Sequence, residues 1–471
     1  MSRIAAHALL FSALLLAPVA VRAQNHPPLS QPQRDSLAAV LDGSLRQLLA
    51  AWYPAAIDRD SGGFFSDLDD RFQPAGPQHK MIVTQARHVW ANARAAAFYH
   101  DRRYLPAAAH GVAFLRDVMW DRQDGGFYWL VTRAGVPIPE RDGRLVKQAY
   151  GEAFGIYGLA TYYEVSHDRA ALALAQRAFR WLDRHAHDPV QGGYFNYMER
   201  DGTPLRAGYG ETPPKDQNSS IHLLEAFTQL YRVWPDPTVR ARLAELLHLV
   251  RDVIRVDPGT LTLFSTADWQ PISYRDSSEA VRKAHESFDH VSYGHNVETA
   301  YLMLEAADAL GQPNDPATLR AGKQMVDHAL RTGWDTAVGG FYDRGYYFRD
   351  RPGSTIIADT KNWWAQAEGL NTLLLMADLF PRDSMRYQQA FLKEWTYVDR
   401  FLIDHEHGGW FEGGLDKEPQ RRTGPKAHIW KAAYHDSRAL MNVIARLRTP
   451  LAPIGPARRA APGAPPPALL P

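Results

Sequence analysis

A short motif recurs along this 471-residue chain. It consists of an aspartate, three further residues, a Gly-Gly pair and two aromatic residues, as in "DRQDGGFY". Copies span 58–65, 121–128, 188–195, 335–342 and 404–411. The third interval is about twice the others, and a degenerate copy, "DPGTLTLF" at 257–264, falls inside it. A fixed period of roughly 65 to 75 residues indicates one supersecondary unit copied in series. The sequence therefore predicts six units.

The segments between the motifs carry apolar residues at helical spacing. Examples are "SSIHLLEAFTQLYRVW" at 219–234 and "GHNVETAYLMLEAADALG" at 294–311. Paired glycines allow a tight reversal at positive φ, and the aromatic residues that follow favour a short extended segment. Six helix pairs that close on themselves give an all-α (α/α)6 barrel with short β-hairpins at one end, the active-site end. An open solenoid is the alternative.

The two ends of the chain are predicted to lie outside this domain. Residues 1–23 contain a basic residue, an apolar run and small residues at Val21 and Ala23, before a cleavage position after Ala23, which is the pattern of a secretory signal peptide. An uncleaved membrane anchor is the alternative. Residues 24–449 are predicted as a single catalytic domain, and 450–471 as a disordered tail rich in proline and alanine. Cleavage after Ala23 would release a periplasmic or secreted protein that has no membrane partner.

Composition excludes several classes of chemistry. The chain has no cysteine, so thiol catalysis and thiolate zinc sites are excluded. A net charge of +1 gives no field that would attract nucleic acid. We find neither a nucleotide-binding glycine loop nor an HExxH motif. The sequence therefore predicts no cofactor, no catalytic metal and no nucleic-acid partner, and we expect a monomer or a weak dimer.

Polar and aromatic residues cluster where the helix after each motif begins. A single histidine of this kind is more often structural than functional, but equivalent positions in six units would face one shared mouth. Histidines can both take and give protons near neutral pH, and tryptophan faces and arginine suit sugars. The clustered residues are Arg87, Tyr150, Glu152, Asn218, His222, His295, Glu298, Trp363, Trp364, Glu368, Trp430 and His435.

This residue set suits proton transfer at a sugar carbon. Two histidines could remove the C2 proton of an open-chain aldose and return one to the opposite face. The enediolate intermediate needs a cationic partner, which Arg87 could supply. His295 and Glu298 are three residues apart on one helix face, so we expect the glutamate to orient the histidine and to raise its pKa.

Three segments carry a family resemblance. "SYGHNVETAYLMLEAADALG", "KNWWAQAEG" and "WKAAYHDSR" resemble the N-acylglucosamine 2-epimerase superfamily, and within it the cellobiose 2-epimerases. The resemblance covers residues 50–445. It implies an (α/α)6 barrel without a cofactor. It also implies inversion of C2 of the reducing-end aldose in a β-1,4-linked disaccharide of the cellobiose or mannobiose type, a small-molecule sugar.

The resemblance also implies roles for the clustered residues. His295 and His435 look like the acid–base pair, and His222 looks like a supporting histidine. Arg87 looks like the stabiliser of the enediolate, and Glu298 like the residue that orients a histidine. The residues that look like substrate contacts are Tyr150, Asn218, Trp363, Trp364, Glu368 and Trp430.

Some features leave the substrate open. An export signal, Ala432–Ala433 and a longer insert at 265–290 depart from the family pattern. A mannose–fructose type aldose–ketose isomerase or an N-acylglucosamine 2-epimerase would use the same fold. More distant alternatives are a non-catalytic sugar-binding protein and a glycoside hydrolase or lyase. A hydrolase would need a pair of carboxylates, for which Glu152, Glu298 and Glu368 are the candidates.

Overall fold

The computed structural model describes residues 27–454. The predicted signal peptide, 1–23, and most of the predicted tail lie outside the described residues. Residues 450–454 lie along the barrel, where the Ile454 N–H donates to the Leu379 carbonyl at 3.1 Å. No helix within 27–454 combines the length and the apolar character needed to cross a membrane.

Helices dominate the described part of the chain. They are α1 Gln31–Trp52, α2 Ile82–Tyr99, α3 Leu105–Phe114, α4 Ala149–Ser166, α5 Arg169–His185, α6 Gln217–Val233, α7 Pro237–Leu249, α8 Glu279–His285, α9 Tyr293–Ala309, α10 Pro316–Thr332, α11 Trp363–Leu379, α12 Tyr387–Phe401 and α13 His435–Arg448. Single π-helical turns extend α3 and α7, at Leu115–Met119 and Val250–Ile254. Short 3-10 turns lie at Arg102–Tyr104, Glu286–Phe288 and Pro419–Thr423.

Twelve of these helices form two concentric rings. The inner ring follows the order α2, α4, α6, α9, α11, α13, and α13 packs back against α2. Each inner helix packs against one outer helix: α3, α5, α7, α10, α12 or α1. The ring is therefore closed, which confirms the (α/α)6 barrel and excludes the open solenoid.

Small residues allow the inner helices to approach closely. A Cβ atom at Gly158 of α4 would lie 2.9 Å from the Ala86 carbonyl oxygen of α2, so a larger residue would push these helices apart. Outer helices are amphipathic instead. Helix α5, for example, buries Leu174, Ala178 and Leu182 against the inner ring and exposes its charged face.

Short antiparallel strands join the helices at one end of the barrel. The pairs are β1 (Lys80–Met81) with β2 (Leu130–Val131), β3 (Val146–Gln148) with β4 (Tyr197–Glu199), β5 (Lys215–Asp216) with β8 (Phe264–Ser265), β6 (Arg255–Val256) with β7 (Thr260–Leu261), and β10 (Arg344–Tyr346) with both β9 (Val291–Ser292) and β11 (Thr355–Ala358). Strands β1, β3, β5 and β9 each run directly into an inner helix. The hairpins therefore lie at the N-terminal ends of the inner helices.

Each full copy of the repeated motif forms the same locked turn. All five Gly-Gly pairs have positive φ at both residues, as the paired glycines predict. A buried lysine from the next hairpin or loop binds the motif aspartate at 2.5–3.2 Å. Sequence analysis missed these lysines. The pairs are Asp58–Lys80, Asp121–Lys147, Asp188–Lys215, Asp335–Lys361 and Asp404–Lys426.

A second side-chain contact holds the motif turns and accounts for the position of Glu152. Gln85 and Gln366 each accept from the N–H of a motif phenylalanine and donate to the carbonyl of that phenylalanine. Glu152 accepts from the Phe127 N–H at 2.6 Å in the same way, and its other carboxyl oxygen has no partner among the described residues. A protonated Glu152 would reproduce the glutamine arrangement. Consistently, burial raises the pKa of Glu152 to about 8.

We expect Glu152→Gln to stabilise the barrel at alkaline pH. Because the folded-state pKa of Glu152 is raised, the wild type keeps its full stability below the ordinary value of 4.5 and loses it as pH rises toward about 8. The glutamine variant has no such loss. Thermal unfolding at pH 5 and pH 8.5 measures the difference, with Gln85→Glu as the reciprocal control that should acquire the pH dependence. Parallel pH profiles for wild type and Glu152→Gln would contradict this assignment.

Candidate active site

The hairpin end of the barrel contains a cup lined by the first turns of the inner helices. Most of the residues predicted for the site meet there, because all six inner helices begin at this end. The three predicted histidines lie on three different helices. His222 belongs to α6, His295 to α9 and His435 to α13.

His435 is the first residue of α13 and is held by a carboxylate. Its Nδ1 atom lies 2.7 Å from Glu368 Oε1 and 3.9 Å from Glu298 Oε1. Burial, and next the charge of Arg87, lower the pKa of His435 well below its usual value. The ring is therefore neutral at pH 7. With Nδ1–H donated to Glu368, Nε2 carries the free lone pair.

His295 has a different partner from the one predicted. Its Nδ1 atom lies 2.8 Å from Ser292 Oγ, and its ring lies 4.8 Å from the ring of Trp364. The predicted pairing with Glu298 does not form, because Glu298 is engaged by Arg438. The predicted rise in pKa is also wrong, since burial lowers the pKa of His295 to about 3.

His222 is the third histidine of the cup, and it is bound by a glutamate of its own helix. Its Nδ1 atom lies 2.9 Å from Oε2 of Glu225, one turn along α6, so Nε2 is left for another partner. The His222 ring also lies 5.2 Å from the ring of Tyr150. Burial by itself would raise the pKa of Glu225, but Arg438 and His222 lower that pKa to about 2. Glu225 is therefore a carboxylate that orients His222.

Arg438 forms the floor of the cup and was not predicted from the sequence. One guanidinium nitrogen, Nη2, donates to Glu298 at 2.5 Å and to Glu368 at 2.7 Å. The other, Nη1, donates to Glu225 and to the Tyr434 hydroxyl. Arg438 is only 1% exposed. Because Arg438 binds the carboxylate partners of both His222 and His435, it fixes the relative positions of the two histidines.

The same guanidinium bears on metal binding. Glu298, Glu368 and His435 offer ligand atoms that lie within 4.8 Å of one another, which is the spacing of a metal site. Arg438 already supplies a positive charge to both carboxylates. The charge of this cluster is thus compensated by a side chain of the chain itself, and the absence of a catalytic metal stays a prediction.

Arg87 links the floor to an aromatic rim. Its Nη1 donates to the Trp430 carbonyl at 2.8 Å and its Nη2 to the Tyr150 hydroxyl at 3.1 Å. The Trp430 side chain is 46% exposed, although large apolar side chains are usually buried. Trp129, which sequence analysis missed, completes the rim at 5.9 Å from Trp430 and 6.4 Å from Tyr150. It follows directly after the second motif, "DRQDGGFY", which was its only sequence signal.

The two neighbouring tryptophans of α11 occupy different environments. Trp364 contacts His295 and lies 5.9 Å from the ring of His435, so it lines the cup. Trp363 is buried against Lys431 and His428, and the structure does not bring it to the three histidines.

Two further predicted substrate contacts behave differently from each other. Glu368 is fully buried beneath His435, where it positions that ring instead of lining the cup. Asn218 lies in the first turn of α6. Its Oδ1 atom is buried without a hydrogen-bond partner among the described residues, so it is free to accept from a ligand hydroxyl.

Comparison with known proteins places this geometry in a family. The sequence profile of N-acylglucosamine 2-epimerase matches residues 63–439, most of the chain. The chain belongs to the N-acylglucosamine 2-epimerase family. A cellobiose 2-epimerase from Bacteroides fragilis is 26% identical over 404 residues, covering 84% of this chain and 96% of the relative. A D-mannose isomerase from Marinomonas mediterranea is 25% identical over 421 residues, covering 89% of this chain and 100% of the relative.

Solved structures agree with the sequence relatives. The cellobiose 2-epimerase of Spirochaeta thermophila superposes with a TM-score of 0.76 at 28% identity, covering 90% of this chain and 99% of that one. The predicted family is confirmed, and so is the prediction of an isomerase-class enzyme that acts on carbohydrates. The site residues and their roles stay predictions, which the geometry above makes specific.

Proposed function

We propose that this enzyme inverts C2 of the reducing-end aldose in a β-1,4-linked disaccharide of the cellobiose or mannobiose type. The observation that carries the proposal is the arrangement of His295 and His435 around Trp364, with ring separations of 4.8 and 5.9 Å. Two neutral imidazoles beside one aromatic face suit a sugar carbon that loses a proton to one ring and receives a proton from the other.

The partners of the two imidazoles differ in a useful way. Glu368 accepts a hydrogen bond from Nδ1–H of His435, which leaves Nε2 of His435 as a base. Ser292 can either accept from or donate to Nδ1 of His295. His295 can therefore present Nε2 as a base or Nε2–H as an acid. In one direction His435 removes the C2 proton and His295 delivers a proton to the opposite face, and the reverse reaction exchanges these roles.

The enediolate between these steps needs positive charge. Arg87 provides a guanidinium that is packed against the rings of Phe154 and Tyr434 at 4.5 and 5.1 Å, and its Nε atom has no partner among the described residues. Its charge bears on His435, whose pKa it lowers after the larger effect of burial. A fixed cation beside the base supports the predicted role of Arg87, because the intermediate is an anion formed at that place.

An aldose–ketose isomerase is the second candidate, favoured by the similarity to D-mannose isomerases. It would form the same enediolate and return the proton to C1 instead of C2. A glycoside hydrolase has less support. Glu298 and Glu368 are bound to Arg438 beneath the histidines, and Glu152 clasps the Phe127 turn, so these carboxylates do not form an accessible catalytic pair.

The test is to incubate residues 24–471 in D2O with cellobiose, mannobiose, mannose or N-acetylglucosamine separately, and to follow C2 and the products by NMR. Deuterium at C2 in an epimeric disaccharide supports the proposal. A ketose product would assign the isomerase instead. Absence of exchange with all four sugars would contradict both.

We expect Trp430→Ala to raise KM for a disaccharide by roughly 3- to 10-fold with little change in kcat. An aromatic stacking contact contributes about 0.5–1.5 kcal/mol and is made in the ground state as well as in the transition state. Steady-state kinetics measure the effect, and Val190→Ala at a surface site that is 81% exposed is the control. An unchanged KM would remove Trp430 from the binding surface.

We also propose that the enzyme acts outside the cytoplasm, on the basis of the signal-peptide pattern that ends at Ala23. Fractionation of the producing cell and N-terminal sequencing of the mature chain test this. A cytoplasmic chain that begins at Met1 would contradict it.

A further inference from the structure

A second cavity lies at the opposite end of the barrel axis from the cup. Its volume is about 250 Å³, and side chains from five of the six inner helices line it. Each of these side chains lies one or more turns farther along its helix than the site residues. Thr228 follows His222 on α6, for example, and Asn442 follows His435 on α13. The cavity is therefore the rear counterpart of the cup, and we call it the rear cavity.

The rear cavity reaches the floor of the active site. Glu225 and Arg438 line its inner end. Glu225 is the carboxylate whose Oε2 atom lies 2.9 Å from Nδ1 of His222, and the His222 ring packs against Tyr150 on the cup side. Glu225 therefore lies between His222 and the rear cavity. A single carboxylate separates this cup histidine from a space that is not part of the cup.

The outer end of the rear cavity meets solvent. Arg94 and Glu164 form a 3.3 Å ion pair there, and each side chain is 39% exposed. Arg232 and Glu305, 3.7 Å apart, form a second partly exposed pair. The ionised groups of the lining balance, with three arginines and three glutamates. A polar, charge-balanced space with many donors and acceptors favours water over an ion, and its volume corresponds to roughly eight water molecules.

We propose that the rear cavity is a water-filled passage through which His222 exchanges protons with bulk solvent while a sugar covers the cup, with Glu225 as the relay. In each transfer His222 releases the proton on Nδ1 to Glu225 Oε2, and Glu225 passes a proton to water in the cavity. A proton gained at Nε2 of His222 from the cup keeps the ring neutral. The reverse sequence brings a proton in.

Such a route has a use in the proposed epimerisation, on which this inference rests. Inversion at C2 leaves one imidazole with an additional proton and the opposite imidazole without one. That imbalance must return to solvent before the next turnover. His222 shares the cup with both rings, and its partner Glu225 is bound by the same Arg438 guanidinium that binds Glu368, the partner of His435. At saturating sugar the cup is covered almost continuously, so an exit behind His222 keeps the reset fast.

The experiment fills the rear cavity with hydrocarbon and leaves the cup intact. Asn442→Leu and, from the opposite wall, Thr228→Leu should each lower kcat by about tenfold and leave kcat/KM within about twofold of wild type, because at low sugar the reset occurs through the open cup. The solvent deuterium isotope effect on kcat should rise in both variants. A structural disturbance would lower kcat/KM as well, so the split between the two constants identifies the reset.

Matched controls keep the cavity wet. Asn442→Ser also loses the hydrogen bond to the Tyr301 hydroxyl, and Thr228→Ser retains the hydroxyl, yet neither adds apolar volume. Both should keep the kcat of wild type. Wild-type kcat and isotope effect in folded Asn442→Leu and Thr228→Leu would overturn the proposal. A wild-type enzyme that fails to exchange C2 in D2O would instead overturn the proposed function, so the two failures are distinguishable.

Discussion

Replacing His435 with asparagine should lower kcat for C2 exchange by about 10²- to 10⁴-fold, the usual contribution of a general acid–base group. Asparagine can still donate a hydrogen bond to Glu368, which holds Nδ1 of His435 at 2.7 Å, but it cannot accept a proton from carbon. The barrel should therefore remain folded. The measurement is the rate of deuterium incorporation at C2, together with the thermal unfolding midpoint.

A histidine of the outer ring provides the internal comparison. His248 lies on α7, where its exposed ring pairs with Asp252 away from the cup. His248→Asn should keep the C2 exchange rate near that of wild type. KM for His435→Asn should change little, since the lost group acts on a proton in the transition state. Near-normal exchange by folded His435→Asn would remove His435 from the mechanism.

The pH dependence of the reaction adds a second view of His435. Burial and the Arg87 charge lower its pKa, so the neutral base persists to lower pH than a free imidazole would allow. The acid limb of the kcat/KM profile reports the free enzyme, so it should lie below pH 6.5, the ordinary pKa of histidine. Removal of the Arg87 charge by Arg87→Gln should move that limb upward.

The repeated motif was enough to predict the architecture because its chemistry is local. A Gly-Gly pair at positive φ and a following aromatic residue determine the turn by themselves, as the backbone at Gly62–Gly63 and its four counterparts shows. The buried lysines that lock these turns were missed for the opposite reason. They lie 22 to 27 residues after the aspartates, and only the folded hairpins bring the two together.

Within the site, helix register decided which predictions succeeded. Trp364 and Glu368 are four residues apart on α11 and share a face, and both contact His435. That spacing could have shown from the sequence that Trp364, and not Trp363, faces the cup. The same reasoning gave the wrong partner for His295. Glu298 lies on the same helix face, but that proximity does not determine which residue a carboxylate binds.

Glu298 binds Arg438, a residue from another helix, instead of His295. Nothing in the sequence distinguished this arginine from the many others in the chain. Its three carboxylate partners come from α6, α9 and α11, so they are widely separated in sequence. Contacts of this kind form only when the ring of helices closes. The sequence pattern could predict that the ring closes, but it could not predict which side chains meet inside the ring.

Arg438→Met should be the most destabilising single change in the site, with a loss of about 3–5 kcal/mol in the free energy of unfolding. Methionine is unbranched like arginine but shorter and uncharged, so the variant leaves Glu225, Glu298 and Glu368 without their shared cation. These carboxylates are no more than 5% exposed, so water cannot take its place. Chemical denaturation at pH 7 measures the loss.

Neutralising one of the stranded carboxylates should restore part of that stability. Arg438→Met combined with Glu298→Gln is expected to unfold at higher denaturant concentration than Arg438→Met alone, although Glu298→Gln by itself should destabilise the wild type. This reversal of sign is the signature of a charge network and would not arise from lost packing. Arg438→Lys, which keeps one charge but not the planar fork, should lie between wild type and Arg438→Met. Additive losses in the double variant would show that Arg438 acts through packing and not through its charge.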